Sequence, residues 1–145
     1  MGQDRVDFFR HNLGPEEKEA CLGVLEGLFI TTGGACARFE EEFAAYLGAA
    51  KAVTVATGTA ALELALMALD IGPGDEVITT PMTFIATANV CLELGATPVL
   101  VDVEPLTGNL DAGLVEAAIT PRTRAILPVH LYGLMCDMRS LRAIA

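Results

Sequence analysis

Residues 53–69, VTVATGTAALELALMAL, decide the reading of this chain. A β-branched run, Val53-Thr54-Val55, meets a short polar turn, Thr57-Gly58-Thr59, and then an apolar stretch with helical character. Strand, tight turn and helix in that order aim free backbone N–H groups at an anion. Gly58 lets the backbone come close to it. Thr57 and Thr59 add hydroxyls where the helix dipole is positive. The stretch therefore reads as a phosphate cradle, with an ordinary βα turn capped by Thr as the plain alternative. A strand is expected over 52–56 and a helix over 60–69, buried on more than one side because Glu63 is its only charge.

Working outward, the chain alternates. Pro15-Glu16-Glu17 opens a helix reaching about Leu28. A second helix over 35–47 carries Phe39, Phe43 and Leu47 on one face, and Gly48 closes it. After the cradle come a turn at 72–75, a strand at 76–79, a helix over about 84–94 and a strand at 98–101. Asp111 is the expected N-cap of a helix over 112–119, and a strand at 124–129 runs into His130. Residues 1–12 show no period. The stretch 137–145 opens like a helix with Asp137 as a possible N-cap and reaches the last residue without a stop signal, so the sequence reads as part of a longer one.

Strands alternating with helices imply parallel pairing and an α/β, three-layer αβα sheet. One domain is expected over 1–145, with 1–50 as a helical entry segment and 51–145 as βα units. Ligands on such sheets sit at the carboxyl ends of the strands. Those ends carry Thr57-Gly58-Thr59, the segment 80–84 with Phe84, Asp102 and His130.

Composition bounds the rest. Hydrophobic residues make up 52% and the net charge is −10, which promises a core and argues against a nucleic-acid surface. No apolar run is long enough to span a bilayer, and MGQDRVDFFRHN has no signal-peptide core, so the cytoplasm is the expected compartment. Cys21, Cys36, Cys91 and Cys136 lack metal-ligand spacing and read as buried free thiols, and no metal is expected. Glu40-Glu41-Glu42 reads as a solvated helix face. A dinucleotide-binding domain is disfavoured because the turn is Thr-Gly-Thr and not GxGxxG.

Residues 55–103, VATGTAALELALMALDIGPGDEVITTPMTFIATANVCLELGATPVLVDV, followed by AAITPRTRAILPVHLYG and preceded by ITTGGACARFEEEFAAYLGAAKAV, closely resemble the DegT/StrS family. Members are nucleotide-sugar aminotransferases that use pyridoxal 5′-phosphate (PLP) on the fold-type-I scaffold. The likeness runs from about Phe8 to Ala145. It implies that Gly58 and Thr59 bind the cofactor phosphate and that Phe84 stacks on the pyridine ring, where the residue alone would read as a core Phe opening a helix. It implies that Thr31 and Thr32 approach the sugar, although the family often has Trp-Leu or Trp-Ile before the Thr pair and this chain has Phe29-Ile30. His130 reads equally as a residue orienting cofactor or substrate and as a hydrogen-bonded structural His. Thr83, Asn89 and Asp102 are given no firm role.

The implied reaction moves an amino group from an amino acid, commonly glutamate or glutamine, to a ketosugar linked to a nucleotide diphosphate, in a homodimer. The Schiff-base Lys of the family matches neither Lys18 nor Lys51 and is expected beyond Ala145, as is the Asp that pairs with the pyridine nitrogen. The chain by itself is therefore expected to be inactive. The other readings are a PLP- or PMP-dependent sugar dehydratase of the same family and a non-catalytic remnant. The resemblance further implies that the strand at 52–56 lacks its proper neighbour, leaving backbone groups unpaired.

Overall fold

The computed structural model describes residues 9–145. The unpatterned start and the beginning of the family likeness at Phe8 fall wholly or partly outside the described residues. The chain divides into two compact units, Met1–Thr54 and Val55–Ala145.

The first unit holds two helices. α1, Pro15–Leu25, starts at Gly14, whose N–H donates to Glu17 Oε2 at 2.6 Å. It stops short of the expected Leu28 because the Gly27 N–H turns back to the Val24 carbonyl. α2, Gly34–Leu47, ends at Gly48, whose φ of +65° is the left-handed cap that favours glycine. Phe39 and Phe43 stack with ring centroids 5.6 Å apart, as their i, i+4 spacing predicts. Their face is exposed to solvent, and Ala44 is the buried residue of the helix. Glu40 is not fully solvated, since it accepts from the Thr54 N–H at 2.7 Å and the Thr54 hydroxyl at 2.6 Å.

The second unit is the sheet. α3, Gly58–Ala68, is followed by β1, Glu76–Thr79; α4, Ala86–Glu93; β2, Thr97–Leu100; α5, Ala112–Ala118; β3, Thr123–Ile126; a 3₁₀ turn, Leu131–Gly133; and α6, Met138–Ile144. The three strands are parallel in the order β2-β1-β3. Side chains alternate across the pleat. Val77 and Ala125 face a cluster with Leu66, Ile71, Val90 and Cys91. Ile78, Val99 and Ile126, one row further on, face Val101, Leu110, Val115, Cys136 and Leu141. Helices α3 and α4 thus cover one face and α5 and α6 the other, giving the three αβα layers expected.

Four further expectations need correction. No strand forms over 52–56, because a strand exists only through pairing and no backbone lies alongside this segment among the described residues. α3 is buried on one side only and not on more than one. Leu66 is its buried residue, while Leu64, Met67 and Leu69 stand in solvent. β3 ends at Ile126 and does not run to Val129. Of the cysteines, Cys91 and Cys136 are buried as expected, but Cys21 is exposed on α1 and Cys36 is half-buried. Among the described residues no helix is long and apolar enough to cross a membrane.

Candidate active site at the carboxyl edge

The direction of α3 follows from its end. Ile71 shares a cluster with Ala96, and the turn after it leads to Asp75, whose carbonyl accepts the Thr97 N–H at 2.8 Å. These contacts lie at the amino edge of the sheet. Leu62 and Leu66 lie over the sheet face, so the other end of α3, at Gly58, lies toward the carboxyl edge, roughly 16 Å of helix away.

Thr57 caps that end in an extended conformation, and its Oγ1 accepts the Ala60 N–H at 3.1 Å. The Ala61 N–H goes to the Thr57 carbonyl. The N–H groups of Gly58 and Thr59 have no protein acceptor among the described residues. Gly58 is exposed, and a Cβ built on it would meet nothing within 4 Å. The fold's own packing therefore does not demand a glycine there. Free N–H groups beneath open space on a helix N-terminus fit a phosphate ester.

The segment after β1 carries the other residues expected at this edge. Thr79 Oγ1 donates to the Leu127 carbonyl at 2.8 Å, tying the end of β1 to the chain leaving β3. Thr80 is buried and its Oγ1 accepts the Met82 N–H. Thr83 and Thr87 share a hydroxyl–hydroxyl bond of 2.9 Å, which fixes the entry to α4. Phe84, just before it, is 77% exposed. It is not the core Phe that a helix-opening aromatic suggests, and its ring is free to face a ligand.

β1 leads to α4 on one face of the sheet, whereas β2 and β3 on either side lead to α5 and α6 on the other. The outgoing loops therefore part at the carboxyl end of β1, the position at which open parallel sheets take their ligands. Asp102 lies two residues beyond β2 and is occupied locally, with Oδ1 accepting the Val103 N–H at 2.8 Å. His130 is exposed, and its Nδ1 accepts the Cys136 N–H at 3.2 Å. The ring thus braces the 130–136 loop, and a neutral imidazole in this role carries its proton on Nε2. Thr31 and Thr32 lie in the bend between α1 and α2 of the first unit, both exposed, with the Thr31 carbonyl accepting from the Cys36 thiol at 3.5 Å. Lys18 and Lys51 are exposed in that same unit.

Sequence reasoning missed the knot that closes this edge. Asn109 is 4% exposed. Its Nδ2 donates to the Leu134 carbonyl at 3.0 Å, and its Oδ1 accepts the Leu131 N–H at 2.9 Å. Gly108 beside it has φ +70°, and a Cβ there would lie 2.9 Å from Leu131 Cδ2 and 3.3 Å from Met82 Sδ. Loops leaving all three strands meet over this glycine. The Gly-Asn pair signals a turn, but nothing local announces that the amide is buried. Among the described residues, no group of three or more acidic, His or Cys side chains could hold a metal ion.

Comparison with known proteins gives this edge its context. The chain is 48% identical over 148 residues to the spore coat polysaccharide biosynthesis protein SpsC of Bacillus subtilis, covering 100% of this chain and 38% of the relative. It is 47% identical over 142 residues to GDP-perosamine synthase of Caulobacter vibrioides, covering 97% of this chain and 38% of that protein. The solved PMP form of a Streptococcus pneumoniae protein described as a sugar aminotransferase superposes with a TM-score of 0.91 at 38% identity, over 96% of this chain and 35% of the other. The chain thus spans little more than a third of the length of the relatives it matches. Structures of the Streptococcus protein exist with PLP as well as PMP, and aminotransferases of this kind are PLP-dependent. The DegT/DnrJ/EryC1/StrS aminotransferase family model matches residues 11–145, and the chain belongs to that family.

Proposed function

We propose that this chain supplies the phosphate-binding and ring-stacking part of a PLP-dependent aminotransferase that aminates a nucleotide-linked ketosugar. The observation that carries the reading is the pair of unengaged N–H groups at Gly58 and Thr59 under open space, on a chain that belongs to this family. The nucleotide-sugar part of the reading leans on the relative that is a GDP-perosamine synthase. Glutamate or glutamine is the proposed donor, and a homodimer in the cytoplasm the proposed state. Four free cysteines suit a reducing compartment.

Bound PLP supplies the electron sink that lets an amino group leave one carbon and join another. The residues of this chain hold and orient it. The Gly58 and Thr59 N–H groups neutralise phosphate charge, helped by the dipole of α3. The Thr57 hydroxyl gives its lone pair to Ala60 and keeps its proton to donate. The Phe84 ring supports one face of the pyridine. Neither Lys18 nor Lys51 is the lysine that carries the cofactor.

The test is to express the complete reading frame that contains this chain and add PLP. Retention of the cofactor, its conversion by glutamate or glutamine, and borohydride labelling of a lysine other than Lys18 or Lys51 are expected. A protein that retains no PLP, or is labelled on Lys51, overturns the reading.

A further inference from the structure

Tyr132 is one of two non-glycine residues with positive φ among those described, at φ +53° and ψ +25°, and it is 93% exposed. A bulky residue in the left-handed region is strained and persists only where its surroundings hold it. Here they do. Asn109 clamps the chain on both sides of Tyr132, at the Leu131 N–H and the Leu134 carbonyl. The Cys136 N–H on His130 Nδ1 and the Cys136 thiol on the Val129 carbonyl at 3.1 Å close the loop again. Gly108, packed on Leu131 and Met82, fixes its height over the edge. A buried amide thus holds a strained residue whose ring contributes almost nothing to the core.

The side of the sheet matters. The cofactor elements, α3 and the segment leading to α4, belong to the face that buries Val90 and Cys91. The Tyr132 loop is rooted in the opposite face through Leu110 and Cys136. Tyr132 and Phe84 thus sit on loops rooted in opposite faces of the sheet. We propose that Tyr132 contacts the sugar acceptor, not the cofactor, and that Asn109 is the positioning residue that fixes it. A phenol suits this task, with a flat apolar face for a hexose ring and one hydroxyl for its polar edge. This inference rests on the aminotransferase reading above.

The test uses the complete enzyme loaded with PLP, and the variants Asn109→Ala and Tyr132→Gly with their double. The donor half-reaction is followed with glutamate or glutamine alone. The acceptor half-reaction is followed with whichever of the GDP-, UDP- and dTDP-linked 3- and 4-ketohexoses the unmodified enzyme aminates fastest. Each single variant is expected to lower kcat/KM for the acceptor about tenfold or more, with donor rates within about twofold, and the double to be no worse than Tyr132→Gly. Asn109→Ala should melt lower, whereas Tyr132→Gly, relieved of strain, should melt no lower. A shared loss with unlike effects on stability cannot come from unfolding. Unchanged acceptor kinetics in Tyr132→Gly, or equal loss in both half-reactions, overturns the proposal alone. An unmodified enzyme that retains PLP but aminates none of the sugars overturns it together with the sugar assignment, and one that retains no PLP overturns the aminotransferase reading itself.

Discussion

Glu76, the first residue of β1, and Arg122, just before β3, form an ion pair across the amino edge of the sheet. The Arg122 Nε–H donates to Glu76 Oε1 at 2.9 Å, its Nη2 reaches the same oxygen, and the Thr120 hydroxyl donates to Oε2 at 2.5 Å. Glu76 itself is 5% exposed. The Thr120 hydroxyl and the Arg122 guanidinium hold its carboxyl below the usual carboxylate range. A depressed folded pKa means stability that is present above the unfolded pKa and lost as pH falls through the folded value. The melting temperature of the complete protein should therefore fall along an acid limb as pH drops through and below the usual carboxylate range. Glu76→Gln should lower the melting temperature at neutral pH and flatten that limb. An unaltered acid profile rejects the role.

Gly58→Ala separates the cradle from a plain helix start. The new methyl meets nothing within 4 Å and sits at the first residue of α3. Stability should stay level or rise by up to about 1 kcal/mol, since alanine suits a helix better than glycine. PLP affinity should fall about tenfold, a loss of about 1.4 kcal/mol, because the methyl occupies the space above the free N–H groups. Cofactor titration beside a melting curve reads both, and unchanged affinity removes Gly58 from the cradle.

Phe84→Leu should be close to silent for folding, within about 0.5 kcal/mol, because the ring is 77% exposed. Its effect should appear in cofactor binding, through loss of the stacking face. A large drop in stability with unchanged PLP affinity marks Phe84 as structural after all.

Ile78 is fully buried at the centre of β1, against Val101, Leu110 and Val115. Ile78→Val should cost about 0.5–1.5 kcal/mol in chemical unfolding, the usual charge for one lost methylene at such a site.

The 145-residue chain expressed alone should bind an apolar dye and associate as its concentration rises. Phe39, Phe43 and Tyr46 on α2, Leu64 and Met67 on α3, and Leu69 just after it all face solvent. Light scattering reads the outcome, and a monodisperse, dye-free monomer contradicts it.

Local signals read well where the physics is local. Asp111 caps α5 by accepting the Gly113 N–H at 2.8 Å, and Asp137 caps α6 by accepting the Ser140 N–H at 3.0 Å, each from a donor two or three residues along the chain. Thr57 announced the start of α3 in the same way. The segment 52–56 misled because its β-branched residues report willingness to pair and not the presence of a partner. Phe84 misled as a residue taken alone, since aromatic bulk favours burial and only the direction of its loop decides exposure.

By itself the sequence determined the βα alternation, the caps, the parallel sheet class and the polar turn at the head of α3, because each rests on residues a few positions apart. Tertiary structure decided the strand order β2-β1-β3 and the faces on which the helices lie. It also decided the clamp of Asn109 on a loop more than twenty residues away, with Tyr132 held left-handed inside it. Those features depend on which loops meet over Gly108, and a contact between distant segments leaves no period or spacing in the chain.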